Sequence, residues 1–107
     1  MTTIRFDRLH GRLSGFSCQG HSGYADAGED IVCAAVTSAV RLAECTINDV
    51  LHAHAPVTVD ENTAAVTLSL PAACPCRTEC EAVLQGLLLY TRELSEENPD
   101  HLTVLEV

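Results

Sequence analysis

At 107 residues and 47% hydrophobic content, the chain is long enough to bury one core and too short for two, so residues 1–107 read as a single domain. Fifteen acidic residues against six basic ones give a formal charge of −9, which argues against direct nucleic-acid binding and suits a basic protein or peptide partner, although a solvated surface alone would also account for it. No apolar run approaches the length of a membrane span, and the opening MTTIRFDRLHGR lacks the apolar block of a secretory signal, so a cytoplasmic protein with no membrane partner is expected.

Residues 2–9 alternate apolar and polar side chains at Ile4, Phe6 and Leu9, the period of a half-buried strand. The pattern breaks at His10 and Gly11 as a hairpin turn would, and residues 12–19 read as a second strand with a bulge at Gly15. A loop from Gly20 to Gly28 follows. From about Glu29 to about Leu51 the chain has no glycine or proline and repeats apolar residues at Val32, Val36 or Ala35, Ala39, Ala43, Ile47 and Val50, which predicts a long amphipathic helix. Glu29 and Asp30 suit the positive end of its dipole.

The segment VTVDENTAAVTLSL predicts a β-hairpin turning at Asp60 to Asn62, closed by Pro71 and Pro75. A second helix is expected from near Thr78, with Cys80, Val83 or Leu84, Leu87, Leu88 and Leu94 inward, until Asn98 and Pro99 stop it. HLTVLEV supplies a last strand. The expected fold is therefore α+β and two-layered, a mixed five-stranded sheet covered by two helices in the order ββαββαβ.

The stretch GHSGYADAGEDIVCAA joins a glycine-punctuated loop carrying His21 to a helix carrying Cys33. On that helix Asp30, Cys33 and Thr37 fall at i, i+3 and i+7, along one stripe. Helix N-terminal N–H groups can lower a thiol's pKa, whereas Glu29 and Asp30 oppose this, so a cation is needed to tip the balance. His21 is that cation if the loop folds back, and the glycines at 20, 23 and 28 give the backbone freedom to do so. The competing reading is that Cys33 is a small core residue, since six cysteines and five histidines will bring some pair this near by chance. Spacing alone leaves both open.

The segment GHSGYADAGEDIVCAAVTSAV resembles the signature of the bacterial ribosomal-processing cysteine proteases, the Prp family, in which a Gly-His loop with a following Gly-Tyr leads into a G-x-D-I-V-C-A-A-V-S helix. The resemblance puts the catalytic histidine on His21, the nucleophile on Cys33, and a match on Asp30. Where the family has serine one turn later, this chain has Thr37, with Ser38 beside it. Ser22 stands where alanine is common. The resemblance implies a homodimeric cysteine endopeptidase, needing no cofactor, that removes the N-terminal extension of large-subunit ribosomal protein twenty-seven, with phenylalanine-containing apolar residues before the cut and a loop that settles on its substrate. Cys33 would attack the scissile carbonyl and His21 would carry the proton, with backbone N–H groups at the helix start, that of Cys33 among them, as oxyanion donors. Asp30 either orients His21 or caps the helix.

Cys74, Cys76 and Cys80 lie close in sequence, and His52 and His54 could be imagined beside them as a zinc site. Their C-x-C-x3-C spacing has no matching second half, so a turn leading into a helix is preferred and no metal is expected. Cys18 and Cys45 read as core residues. The six cysteines are expected to be free thiols. Two alternatives to a protease are a non-catalytic ribosome-associated binding protein and a thiol redox or metal sensor built on the 74–80 cluster.

Overall fold

The computed structural model describes residues 1–20 and 27–107, with side chains from Asp30 onward in the second stretch. His10 and Gly11 both take positive φ, 54° and 78°, and form the two-residue connection between β1 (Thr2–Leu9) and β2 (Arg12–Gln19). Such turns match the twist of antiparallel strands, which is why Leu9 pairs directly with Arg12. The register slips where Asp7 faces Gly15 and Arg8 faces Leu13, so the extra residue is Ser14, one position before the expected bulge. Its carbonyl accepts the Leu70 N–H at 2.8 Å. Gly15 next to it is required: a Cβ there would collide with the Leu68 carbonyl oxygen on the neighbouring strand.

The chain continues through α1 (Ala27–Cys45), β3 (Val57–Val59), β4 (Val66–Ser69), α2 (Arg77–Glu97) and β5 (Leu102–Glu106). The strands lie in the order β3-β4-β2-β1-β5. β5 runs parallel to β1 and the other pairs are antiparallel, which makes the sheet mixed. One face presents Ile4, Phe6, Phe16, Leu68 and Leu102 to the helices, all buried. The Phe6 and Phe16 rings meet at 6.5 Å between centroids, tilted by 53°. The other face, with Thr3, Arg5, Ser17, Thr67 and Thr103, is polar and at least partly solvated. The result is the expected α+β order ββαββαβ in two layers.

α1 buries Val32, Val36, Val40 and Ala43. Its last turn widens into a π-helical turn over Thr46–Val50, in which Leu51 N donates to Thr46 O at 2.9 Å. That turn keeps Ile47 in the core and lets the Asn48 amide clamp Ala55, accepting from its N–H at 2.8 Å and donating to its carbonyl at 3.0 Å. The extra residue rotates Val50 out of the apolar stripe, and it is 67% exposed. Leu9 also differs from expectation, being exposed beside the turn. α2 buries Cys80, Leu84, Leu87, Leu88 and Thr91, and ends at Asn98, whose N–H and side-chain amide both donate to Leu94 O. Buried Thr91 is satisfied by the Leu87 and Leu88 carbonyls. Among the described residues no helix is long and apolar enough to cross a membrane.

Candidate active site

Following α1 from Cys33 with a helical period gives Thr37, Val40, Arg41 and Glu44, and all of these line one groove. The opposite wall is the part of the sheet's inner face that the helices leave uncovered: Cys18 and Gly20 at the end of β2, Val57 and Val59 on β3, and Val66 on β4. The cavity measures about 410 Å³ and is mostly apolar, large enough for a few side chains of a peptide. Its polar side chains among the described residues are Thr2, Thr37 and the Arg41–Glu44 pair, 3.5 Å apart, on the rim.

Cys33 is half-buried, so its sulfur is shielded on one side and reachable from the groove on the other. Gly20 lies against it, close enough that a Cβ would stand 3.2 Å from Sγ. Cys18 is a neighbour as well: burial first, and then the nearby Cys33, push its thiol up from 9.0 to about 11. Cys18 is thus a protonated, inert wall at neutral pH.

Of the residues singled out in the sequence, the structure brings Cys33, Thr37 and Gly20 together. Asp30 and Ser38 are exposed on α1 and are not among the described residues that line the groove. Gly28 is in the first turn of α1, and His21 and Gly23 lie outside the described residues. α1 starts at Ala27, two residues earlier than the sequence suggests, which makes Cys33 its seventh residue, counting 27 to 33. There the helical pattern pairs the Cys33 N–H with the carbonyl four residues back. Cys33 therefore falls beyond the four orphan N–H groups of the first turn of α1.

The valines of β3 and β4 and the Arg41–Glu44 rim were legible in the sequence only as strand and helix residues. Extending the Cys33 stripe by further turns would have found Val40, Arg41 and Glu44, whereas nothing local marks Val57, Val59 and Val66 as groove rather than core. Cys18, expected in the core, is half-buried in the groove wall, and Cys45 is exposed, with its thiol 3.4 Å from Asp49 Oδ2.

The family model described as cysteine protease Prp matches residues 1–103. The chain belongs to this family. It is a cysteine protease of the Prp type, and the nucleophile of such an enzyme must be a cysteine reachable from a peptide-sized groove. No curated protein matches the sequence significantly. Among solved structures, the fold is similar to SMU.848 from Streptococcus mutans, with 22% identity over 100% of this chain and 94% of that one and a TM-score of 0.84. It is also similar to the essential ribosomal processing protease Prp from S. aureus in complex with a substrate peptide, at 17% identity, full coverage of both chains and a TM-score of 0.87. The same S. aureus protease with a covalently linked product peptide gives 18% identity, full coverage of both chains and a TM-score of 0.82. At these identities the likeness shows the shared fold.

The Prp-family groove does not include the second cysteine cluster. All described cysteines are free thiols, and Cys74, Cys76 and Cys80 gather near the start of α2, with their sulfurs within 4.8 Å of one another. His52 and His54 do not join them.

Proposed function

We propose that this Prp-family protease is a cytoplasmic, homodimeric endopeptidase that removes the N-terminal extension of large-subunit ribosomal protein twenty-seven, with Cys33 as nucleophile and His21 as its base. The observation that carries this reading is the placing of Cys33: it opens into an apolar groove on a cysteine-protease fold, at the position that the G-x-D-I-V-C motif gives the nucleophile. The S. aureus protein of the same fold is a ribosomal processing protease seen with substrate and with covalently linked product peptides, which supports a peptide substrate that becomes attached to the enzyme.

In this mechanism Cys33 Sγ bonds to the scissile carbonyl carbon while its proton passes to His21. The tetrahedral adduct collapses, the C–N bond breaks, and His21 delivers the proton to the leaving amine. Water then gives a proton to His21 and attacks the thioester, and the sulfur leaves as the proton returns to it. The valines at 40, 57, 59 and 66 offer an apolar surface for aromatic side chains before the cut. Thr37, one turn beyond Cys33, supplies a hydroxyl in the groove. Ser38 and Asp30 stand outside it as supporting candidates, Asp30 by orienting His21, since a helix that starts at Ala27 puts Asp30 past the N-cap position.

Charge supports a basic substrate. Each of the six arginines already has a carboxylate partner, Glu81 holding both Arg12 and Arg77 and Glu106 holding both Arg8 and Arg92. The remaining acidic groups are a net negative field that speeds encounter with a basic protein. For the homodimer, exposed Leu42 and Tyr90 line a groove between α1 and α2, and Leu89 is exposed on α2.

The test is incubation with a peptide spanning the extension junction. Cleavage abolished by Cys33→Ala and by His21→Ala, but kept by Cys45→Ala at an exposed thiol, is the expected result. Binding of the peptide without cleavage would favour the ribosome-associated binding protein instead.

A further inference from the structure

Two local features draw three thiols together. Pro75 sits in a turn closed by Arg77 N donating to Cys74 O at 3.1 Å, which folds Cys74 back over Cys76. Cys80 N then donates to Cys76 O at 3.0 Å, the first bond of α2, and stacks Cys80 on the same face as Cys76. The turn read from the sequence is therefore real, and it is what builds the cluster. Sγ to Sγ distances are 3.8 Å from Cys74 to Cys76 and 3.7 Å from Cys76 to Cys80, and all three sulfurs lie within 4.8 Å of each other.

We propose that Cys74, Cys76 and Cys80 form a three-thiolate site for Zn²⁺, separate from the groove that holds Cys33. A tetrahedral zinc with Zn–S bonds of about 2.3 Å sets its sulfurs about 3.8 Å apart, and two of the three edges already have that length. Sulfur ligands select a soft cation over Mg²⁺ or Ca²⁺. Cys80 is buried while Cys74 and Cys76 are half-buried, so the site is anchored on the core side and open on the other, where water completes the tetrahedron. Coordination releases the three thiol protons to solvent as the cation enters. Cys76 also donates to Leu51 O at 3.4 Å, so the cluster sits at the junction between the end of the first helix and the start of the second. Coordination would give up that S–H···O contact as the Cys76 proton leaves, and a bound ion would instead fasten the turn at Cys74 to the first turn of α2. None of the three residues lines the Cys33 groove.

The experiment titrates reduced, metal-free full-length protein with Zn²⁺ against a chromophoric chelator, and with Co²⁺ as a spectroscopic stand-in, using Cys33→Ala as the background so that the groove thiol contributes nothing. One Zn²⁺ per chain, a rise in melting temperature on binding, and a tetrahedral Co²⁺ spectrum with sulfur charge-transfer bands are expected. Cys74→Ser and Cys76→Ser, both at half-buried positions, should lose the chelator-resistant binding while keeping a native circular dichroism spectrum, and Cys45→Ser should retain it. A chain that yields all its zinc to the chelator, an octahedral cobalt spectrum, or binding undiminished in Cys76→Ser would overturn the site and leave three thiols that only pack together.

Discussion

Gly20 and Cys33 are in contact across the groove, with no room between them for an ordinary side chain: a Cβ at position 20 would lie 3.2 Å from Cys33 Sγ. The residue that leads directly into His21 therefore borders the sulfur.

Gly20→Ala is expected to displace the sulfur by a few tenths of an ångström and to lower kcat on the junction peptide by roughly tenfold, since small misplacements of a reacting atom are costly. Global stability should change little, because the contact is at the groove wall. Steady-state kinetics alongside urea denaturation separates the two effects, and an unchanged kcat would show that the Gly20 contact does not position the nucleophile.

Gly15 and Gly86 make a contrasting pair. A Cβ at Gly15 meets the Leu68 backbone, which cannot rotate away, so Gly15→Ala should cost about 3 kcal/mol or more by forcing β2 and β4 apart. Gly86 is within α2 and a Cβ there meets nothing within 4 Å, so Gly86→Ala should stabilise by about 1 kcal/mol through helix propensity alone. Denaturant midpoints measured at equal m-values check both signs.

The elements were legible because their periods are strong. Ile4, Phe6, Phe16 and Leu68 mark strands, and an alanine-rich run without glycine or proline marks α1. What local pattern could not carry was the π-helical turn, since Asn48 is drawn to Ala55 by a clamp that no periodicity announces. The β3–β4 turn is likewise longer than Asp60 to Asn62. Asp60 Oδ1 accepts from Asn62 N, but Ala64 takes φ of 59° and Asp60 N donates to Ala65 O, closing the loop three residues later. Within the site, the Cys33 and Thr37 stripe followed from helix geometry. The facing valines did not, because which part of a sheet the helices leave bare depends on the length and tilt of the helices.

Thr37 tests how much the groove needs its hydroxyl. Thr37→Ser keeps the oxygen and removes a methyl, and should hold kcat/KM within about twofold. Thr37→Val keeps the shape and removes the oxygen, which should cost roughly five- to tenfold, the worth of one hydrogen bond. Equal activity in the two variants would reduce Thr37 to a packing residue.

Cys18 gives the fold an alkaline weakness. Its thiol is pushed to about 11 by burial and then by Cys33, whereas the unfolded chain holds it at 9.0. Below pH 9.0 both states keep the proton and the contribution to stability is complete. As pH rises through the window from 9.0 to about 11, the unfolded state ionises first and is favoured, so stability falls. Urea midpoints of the reduced protein should therefore decline across that window, and the decline should be shallower in Cys18→Ala, whatever its absolute stability. In the folded protein, alkylation of Cys18 should lag until the same range, because only the thiolate reacts. A Cys18 that is alkylated at neutral pH as fast as exposed Cys45 would mean that the groove wall opens to solvent, and the shielding that raises the thiol would have to be given up with it.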